Sequence, residues 1–319
     1  MDLSLLSTIN TNYRTPFQVL VHSIAGGKHP ATVIEWHIAT DEPEDIWQAW
    51  IAAMNARWSC KSITFILHGA DWLQPEQLPL KGRARPIMYA RILAPAKIRC
   101  ATARLLYLDA DMIALQPLET LWNTELGQYI CACIQDIAIP QNSSGMAISH
   151  VNRVWSEADA PYFNAGVMLI DTWKWTDAGV PEKALEYIAA SSGRINLFDQ
   201  EALNVAIDGY WRKVSYRWNL IASVAGRSFL ETHLLNGQDY RDSLADPCLV
   251  HYAGTLKPWH NSLLAGRWYD LYRKALNDAL PGHTIIHTWR HRLQAVYNKY
   301  LRQLAYPLEK RIWITMRGF

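Results

Sequence analysis

The chain has 319 residues, half of them hydrophobic and 19% charged, and a formal net charge of +2. That balance excludes a disordered chain, and so small a net charge gives no reason to expect nucleic acid as a partner. The cysteines Cys60, Cys100, Cys131, Cys133 and Cys248 follow no repeating pattern, which argues against a disulfide framework and fits a reducing compartment.

In chain order, short apolar runs at Leu3–Ser7, Val33–Ala39, Ser62–Leu67 and Arg104–Leu108 have strand length, and helix-like stretches at Pro16–Ala25, Glu44–Arg57 and Ile87–Arg99 lie between them. This alternation predicts an α/β domain, a mostly parallel sheet wrapped by helices, with ligands beyond the carboxyl ends of its strands. Tyr129–Ile134 and Gly166–Ile170 read as further strands, and Cys131 and Cys133 as small buried residues on one strand face. Pro181–Ser191 and Asp199–Ile207 read as helices, 140–145 as a loop and 223–246 as irregular. His283, His287 and His291, four apart, are expected along one helix as an interface face.

Four segments carry chemistry. Arg104–Asp111 (RLLYLDAD) is a buried strand ending in two carboxylates, hard oxygen ligands for Mg2+ or Mn2+, although strand-end aspartates also cap helices. Val250–Trp259 (VHYAGTLKPW) sets His251 and Lys257 around Gly254: an imidazole for a metal, favouring Mn2+, a backbone that can approach a phosphate, and a point charge. Tyr162–Asp171 (YFNAGVMLID) places the Asn164 amide before a strand, free to read hydroxyls. Phe198–Asn204 (FDQEALN) is an acidic helix start, where Asp199 can cap the helix or face a sugar with Gln200. A P-loop, a G-x-G-x-x-G after the first strand, a C-x-x-C pair and a G-x-S-x-G elbow are all absent from the sequence.

LYLDAD, FNAGV, DQEALN and HYAGTLKPW, in that order, resemble the retaining glycosyltransferases of family 8, and most of all its bacterial lipopolysaccharide galactosyl- and glucosyltransferases. The resemblance implies a GT-A fold in a single catalytic domain over residues 1–282. It further implies Mn2+ (or Mg2+) held by Asp109, Asp111 and His251, and a UDP-glucose or UDP-galactose donor. The donor would be contacted by Asn10, Asn12, Tyr13, Arg91, Asp109, Ala110, Asn164, Gly254 and Lys257, with Asp199 and Gln200 at the transferred sugar. A further family acid falls at Gln135 or Asp136. Where the family begins Asp-Asp-Asn-Tyr, this chain has Asn10-Thr11-Asn12-Tyr13, so the first base-reading carboxylate is an amide. Gln200 is too weak a nucleophile for a covalent route, which favours attack on the face the phosphate leaves, with Asp199 as the fallback nucleophile.

Residues 283–319 hold seven Lys or Arg against Glu309 alone, so the rest of the chain is mildly acidic. Trp289, Leu293, Val296, Tyr300 and Leu304 recur at helical steps before Pro307, and Ile312, Trp313, Met316 and Phe319 continue the apolar theme. A basic amphipathic tail suits an anionic membrane surface. No leader and no bilayer-length apolar run is visible, so the expectation is a cytoplasmic enzyme, peripheral on the cytosolic face of a bacterial inner membrane. The acceptor is then a saccharide or glycolipid, as in lipopolysaccharide core. The competing readings are a transferase with a protein or other glycan acceptor, a nucleotidyltransferase, and a non-catalytic carbohydrate-binding relative.

Overall fold

Each central strand reads with a period of two, and both of its faces are buried. In β4 (Arg104–Leu108), Leu106 and Leu108 enter one core while Leu105 and Tyr107 enter the other. β7 (Phe163–Asp171) divides in the same way, Val167 and Leu169 against Met168 and Ile170. Such strands must lie inside a sheet covered on both sides. A computed structural model shows that sheet and describes residues 1–69, 85–98, 102–144, 148, 160–191, 195–225, 234–254, 256–285 and 287–296. Cys100 and the tail beyond residue 296, with Tyr300, Leu304, Pro307, Ile312, Trp313, Met316 and Phe319, lie outside the described residues.

The main sheet has seven strands in the order β3-β2-β1-β4-β7-β6-β8, formed by β1 (Asp2–Thr8), β2 (Val33–Ala39), β3 (Ile63–His68), β4, β6 (Cys131–Gln135), β7 and β8 (Trp211–Lys213). Only β7 runs against the others. From β1 the chain moves outward to β3, then returns to add β4 on the other side of β1. This reversal opens a crevice at the carboxyl ends of β1 and β4. A smaller sheet, β5-β10-β9, joins β5 (Met112–Ala114), β10 (Leu249–His251) and β9 (Leu220–Ile221). There β10 pairs antiparallel to β5, with His251 opposite Met112, and parallel to β9, with His251 opposite Ile221.

The helices are α1 (Arg14–Gly27), α2 (Asp45–Trp58), α3 (Pro86–Lys97), α4 (Glu119–Trp122), α5 (Thr172–Asp177), α6 (Val180–Ala190), α7 (Phe198–Ile207), α8 (Gly237–Ala245), α9 (Arg267–Ala279) and α10 (Trp289–Val296). Helix α3 starts where a proline costs least, with Pro86 in its first turn. Helix α1 lays Phe17 edge-on against Trp36 of β2, ring centroids 4.9 Å apart. Burying that phenyl ring fully contributes about 1.5–3 kcal/mol.

Three expectations change. The stretch 223–246 contains α8, capped by the Asn236 side chain on the Asp239 amide. Its face buries only Tyr240 and Ser243, so it shows no apolar stripe. The histidine series is not one helical face, because α10 starts at Trp289 and only His291 lies on it. His287 instead meets Ser262 Oγ through Nε2 at 2.8 Å, and Asn261 donates to the His291 carbonyl at 2.8 Å. Asp199 does not cap α7: it sits in the first turn after Leu197, whose side chain makes no capping bond.

Candidate active site

Asp109 and Asp111 follow β4 at the crevice. The small sheet then brings His251 beside them, since its strand partner Met112 is the residue after Asp111. His251 Nε2 stands 3.6 Å from Asp109 Oδ2 and 3.2 Å from Asp111 Oδ1. One ligand atom from each of the three residues lies within 4.8 Å of the others. The donor set, two carboxylate oxygens and an imidazole nitrogen, fits a divalent cation of the Mn2+ type. Space is kept open for these groups at Gly166: a Cβ there would stand 2.6 Å from His251 Cε1 and 3.0 Å from Asp109 Oδ2. Glycine is needed at this position because side chains converge over it.

Two cations flank the triad. Lys257 Nζ bonds Asp111 Oδ2 and the Tyr252 carbonyl, and lies 5.8 Å over the Tyr13 ring and 5.1 Å over that of Trp259. Arg91, from the middle of α3, donates from Nη2 to Asp109 Oδ1 at 2.9 Å and sets Nε 2.7 Å from Asp199 Oδ2. Tyr107 OH also donates to Asp109 Oδ1, at 2.7 Å, and its ring lies 4.8 Å beneath the guanidinium. Burial alone would push the Asp111 carboxyl up, but His251 and Lys257 outweigh it and hold the group well below the usual carboxylate range. Burial pulls the Lys257 amine down, and Asp111 more than reverses this. For Asp199 burial wins and the carboxyl is raised, with Arg91 opposing.

A cavity of about 320 Å³ lies over the triad. Among the residues expected from sequence, Asn10, Tyr13, Arg91, Asp109, Ala110, Asp111, Asn164, Gln200, His251, Gly254 and Lys257 line it. Asn12 and Asp199 do not: Asn12 is exposed on a 3-10 turn, and Asp199 is held behind Arg91. Asn10 Oδ1 accepts the Asn12 N–H at 3.1 Å, which leaves its amide nitrogen as the group to offer a ligand. Gly254 takes the left-handed conformation, φ +89, with nothing within 4 Å of where a Cβ would sit, so backbone freedom explains this glycine.

Gln135 and Asp136 point in different directions, and neither lines the cavity. Gln135 turns into the core, donating to the Pro140 carbonyl at 2.8 Å and accepting from Tyr216 OH. Asp136 Oδ2 accepts from Asn164 Nδ2 at 2.9 Å and from Gln200 Nε2 at 3.2 Å, so it braces two cavity residues from behind. Gln200 Oε1 is occupied as well, by the Ala165 N–H at 3.1 Å. Sequence reasoning missed Thr8, Ile87, Met88 and Ala253 on the cavity wall. It also missed Tyr107 and Asn219 behind the wall. Tyr107 stood inside the RLLYLDAD motif, and its period-two position pointed to a core; Asn219 carried no local signal. A second cavity, between α8 and the segment before β10, contains none of the expected residues.

The model of glycosyl transferase family 8 matches residues 4–262. The chain belongs to that family. Within it, the chain is 30% identical over 174 residues to a lipopolysaccharide 1,2-glucosyltransferase of Escherichia coli K12, a match covering 54% of this chain and 49% of that protein. It is 27% identical over 177 residues to general stress protein A of Bacillus subtilis, covering 54% of this chain and 59% of that one. The chain thus spans about half the length of these curated relatives. Among solved structures, a galactosyltransferase named LgtC, in complex with donor and acceptor sugar analogues, superposes with a TM-score of 0.69 at 23% identity, covering 90% of this chain and 99% of that one. That likeness shows the shared GT-A fold of this family 8 chain.

Proposed function

We propose that the protein is a retaining, metal-dependent hexosyltransferase that moves glucose or galactose from a UDP-sugar to a glycan or glycolipid acceptor, as in lipopolysaccharide core. The observation that carries this reading is the convergence of Asp109, Asp111 and His251 with Lys257 in one cavity of the crevice. When bound, Mn2+ (or Mg2+) supplies charge neutralisation for a diphosphate leaving group. Lys257 then adds a positive charge on the same side, and Gly254 a backbone turn that a bulky residue would resist. Arg91 stays charged beside Asp109 and so keeps the donor end of the cavity from being purely anionic.

Retention by same-face attack fits the wall. The bond from the sugar C1 to phosphate breaks, its electron pair leaving on the UDP oxygen. The acceptor hydroxyl then bonds C1 on that face and gives its proton to the departing phosphate. Gln200 is unsuited to be a nucleophile, with its oxygen taken by the Ala165 amide, and Asp199 is paired to Arg91 outside the cavity lining. Both instead position the wall. Asn10 offers a donor where a carboxylate would offer an acceptor, which suits a carbonyl oxygen of uracil and weakens the reading of its N–H. The named relatives, one a glucosyltransferase and one a galactosyltransferase, leave the sugar to experiment.

UDP release from UDP-glucose and from UDP-galactose, with and without Mn2+, tests the proposal. One donor should be hydrolysed slowly by the wild type in a metal-dependent way, and not by Asp111→Ala. Metal-independent release, or release untouched by Asp111→Ala, would sink it.

Among the described residues no helix is long and apolar enough to cross a membrane. Helix α10 nevertheless leaves Trp289, Leu293 and Val296 exposed, at 66%, 59% and 49%, on one helical stripe beside Arg290 and Arg292. This supports a peripheral contact of residues 283–319 with an anionic membrane on the cytosolic side. Vesicles containing phosphatidylglycerol should bind the wild type and lose a Trp289→Ser, Leu293→Ser double variant; equal binding would refute the contact.

A further inference from the structure

The hydrogen position on His251 can be traced from a backbone amide. Gly166 N–H, which can only donate, meets Asn164 Oδ1 at 3.0 Å and so fixes which end of that amide is the oxygen. The same oxygen lies 2.8 Å from Asn219, whose facing atom is therefore the donor, Nδ2. The other end of the Asn219 amide, the carbonyl Oδ1, then faces His251 Nδ1 at 2.9 Å. A carbonyl oxygen only accepts, so Nδ1 carries the hydrogen. In the neutral ring Nε2 keeps its lone pair, and Nε2 is the atom turned toward Asp109 and Asp111. Three lone-pair donors thus point into one volume, the tautomer a cation requires.

We infer that Asn219 is the positioning residue of the metal centre, fixing the tautomer and ring plane of His251 and tying it to the sugar side of the cavity. This rests on the metal-dependent reading above. Asn219 is buried, 2% exposed, and ends a 3-10 turn, Tyr216–Trp218, just before β9. The turn is closed by its backbone N–H on the Tyr216 carbonyl, so the side chain is not used there. Both side-chain bonds go to the site instead. The parallel pairing of β9 with β10 sets the distance, with Ile221 opposite His251 and the Ala222 N–H on the His251 carbonyl at 2.8 Å. Beyond Asn219 the chain continues from Asn164 Nδ2 to Asp136 Oδ2, which also accepts from Gln200. Asp136 Oδ1 is anchored by the Ala138 and Ile139 amides, at 2.8 and 3.0 Å. A residue that touches neither metal nor sugar therefore holds one group of each half.

Two measurements test this. Binding of Mn2+ alone, followed by the electron-paramagnetic-resonance signal of the free ion, should weaken on the order of 10- to 100-fold in Asn219→Ala. Asn219→Asp, which still accepts from Nδ1–H but loses the donation to Asn164 Oδ1, should recover part of the affinity, a rescue that mere filling of space would not give. The second measurement needs no variant: in 15N-histidine-labelled wild type loaded with diamagnetic Cd2+, the His251 hydrogen should be found on Nδ1. A hydrogen on Nε2, or equal Mn2+ affinity in Asn219→Ala and wild type, overturns the inference. Mn2+ binding that is lost in Asp111→Ala but kept in Asn219→Ala would defeat the positioning role while sparing the metal centre. A wild type that binds no Mn2+ would remove both.

Discussion

Two histidine sites lie near the carboxyl ends of the main sheet's strands, one at His251 of the small sheet beside the end of β4 and one on β2 and β3. His251 faces two carboxylates within a cavity, and Asp109, Asp111 and Lys257 line that cavity with it. His37 and His68, near the ends of β2 and β3, face each other: His37 Nδ1 meets His68 Nε2 at 3.0 Å, with the rings stacked 5.3 Å apart. Burial pushes both of these down to about 4, so the pair is neutral at physiological pH. The lesson is that the edge of an α/β sheet offers many places for polar residues, and a site appears where unlike charges converge on space kept open. At His251 a glycine keeps that space open; at His37 the neighbour itself fills it.

The largest expected effect breaks this contrast directly. Removing one metal-facing group, as in His251→Ala, should lower metal-dependent UDP release by on the order of 1,000-fold. His37→Gln should leave it within about twofold. Equal losses from the two variants, in the same release assay, would show that His251 has no special task. A smaller effect comes from closing the space without touching a charge. Gly166→Ala puts a methyl group 2.6 Å from His251 Cε1 and should cost about 1–3 kcal/mol in urea unfolding, with weaker Mn2+ binding. Unchanged stability and unchanged Mn2+ affinity would mean that the crowding there is relieved freely.

At neutral pH the smallest effect belongs to the other pair, and it grows as pH falls. Above the unfolded histidine value of 6.5, His37 and His68 are neutral in both the folded and the unfolded state. Between 6.5 and about 4, the unfolded chain binds protons that the folded chain does not, so stability falls as pH drops through that window and levels off below it. Glu35 and Glu44 oppose the shift at His68. Unfolding midpoints measured from pH 7 to pH 4 should fall less steeply in a His37→Gln, His68→Gln double variant. Parallel slopes would deny the pair its part in acid sensitivity.

Much of the fold was legible in local pattern. Val33–Ala39 and Arg104–Leu108 match their strands end to end, and the α/β alternation held through β4. Cys131 and Cys133 do lie buried on one face of β6, sulfurs 3.4 Å apart. Helix α8 was missed because its polar sequence carries no apolar stripe, and the helical phase of His283 and His287 failed because α10 begins only at Trp289, while His287 meets Ser262 instead. In the site, the strand-end carboxylates, His251 and Lys257 were marked within their own segments, by a strand end or a nearby glycine, whereas Arg91 was marked by the family resemblance alone.

What the sequence determined by itself was the set of elements and the residue types at their ends, because burial with a period of two or of 3.6 is written within a few neighbouring residues. Only the tertiary structure decided how those ends meet. It ran β7 against its neighbours, put Asp199 behind Arg91, turned Asp136 rather than Gln135 toward the cavity wall, and set Asn219 against His251 through the pairing of β9 with β10. Each of these depends on how strands and helices far apart in the chain meet, and an isolated segment holds no information about the partner against which it will be packed.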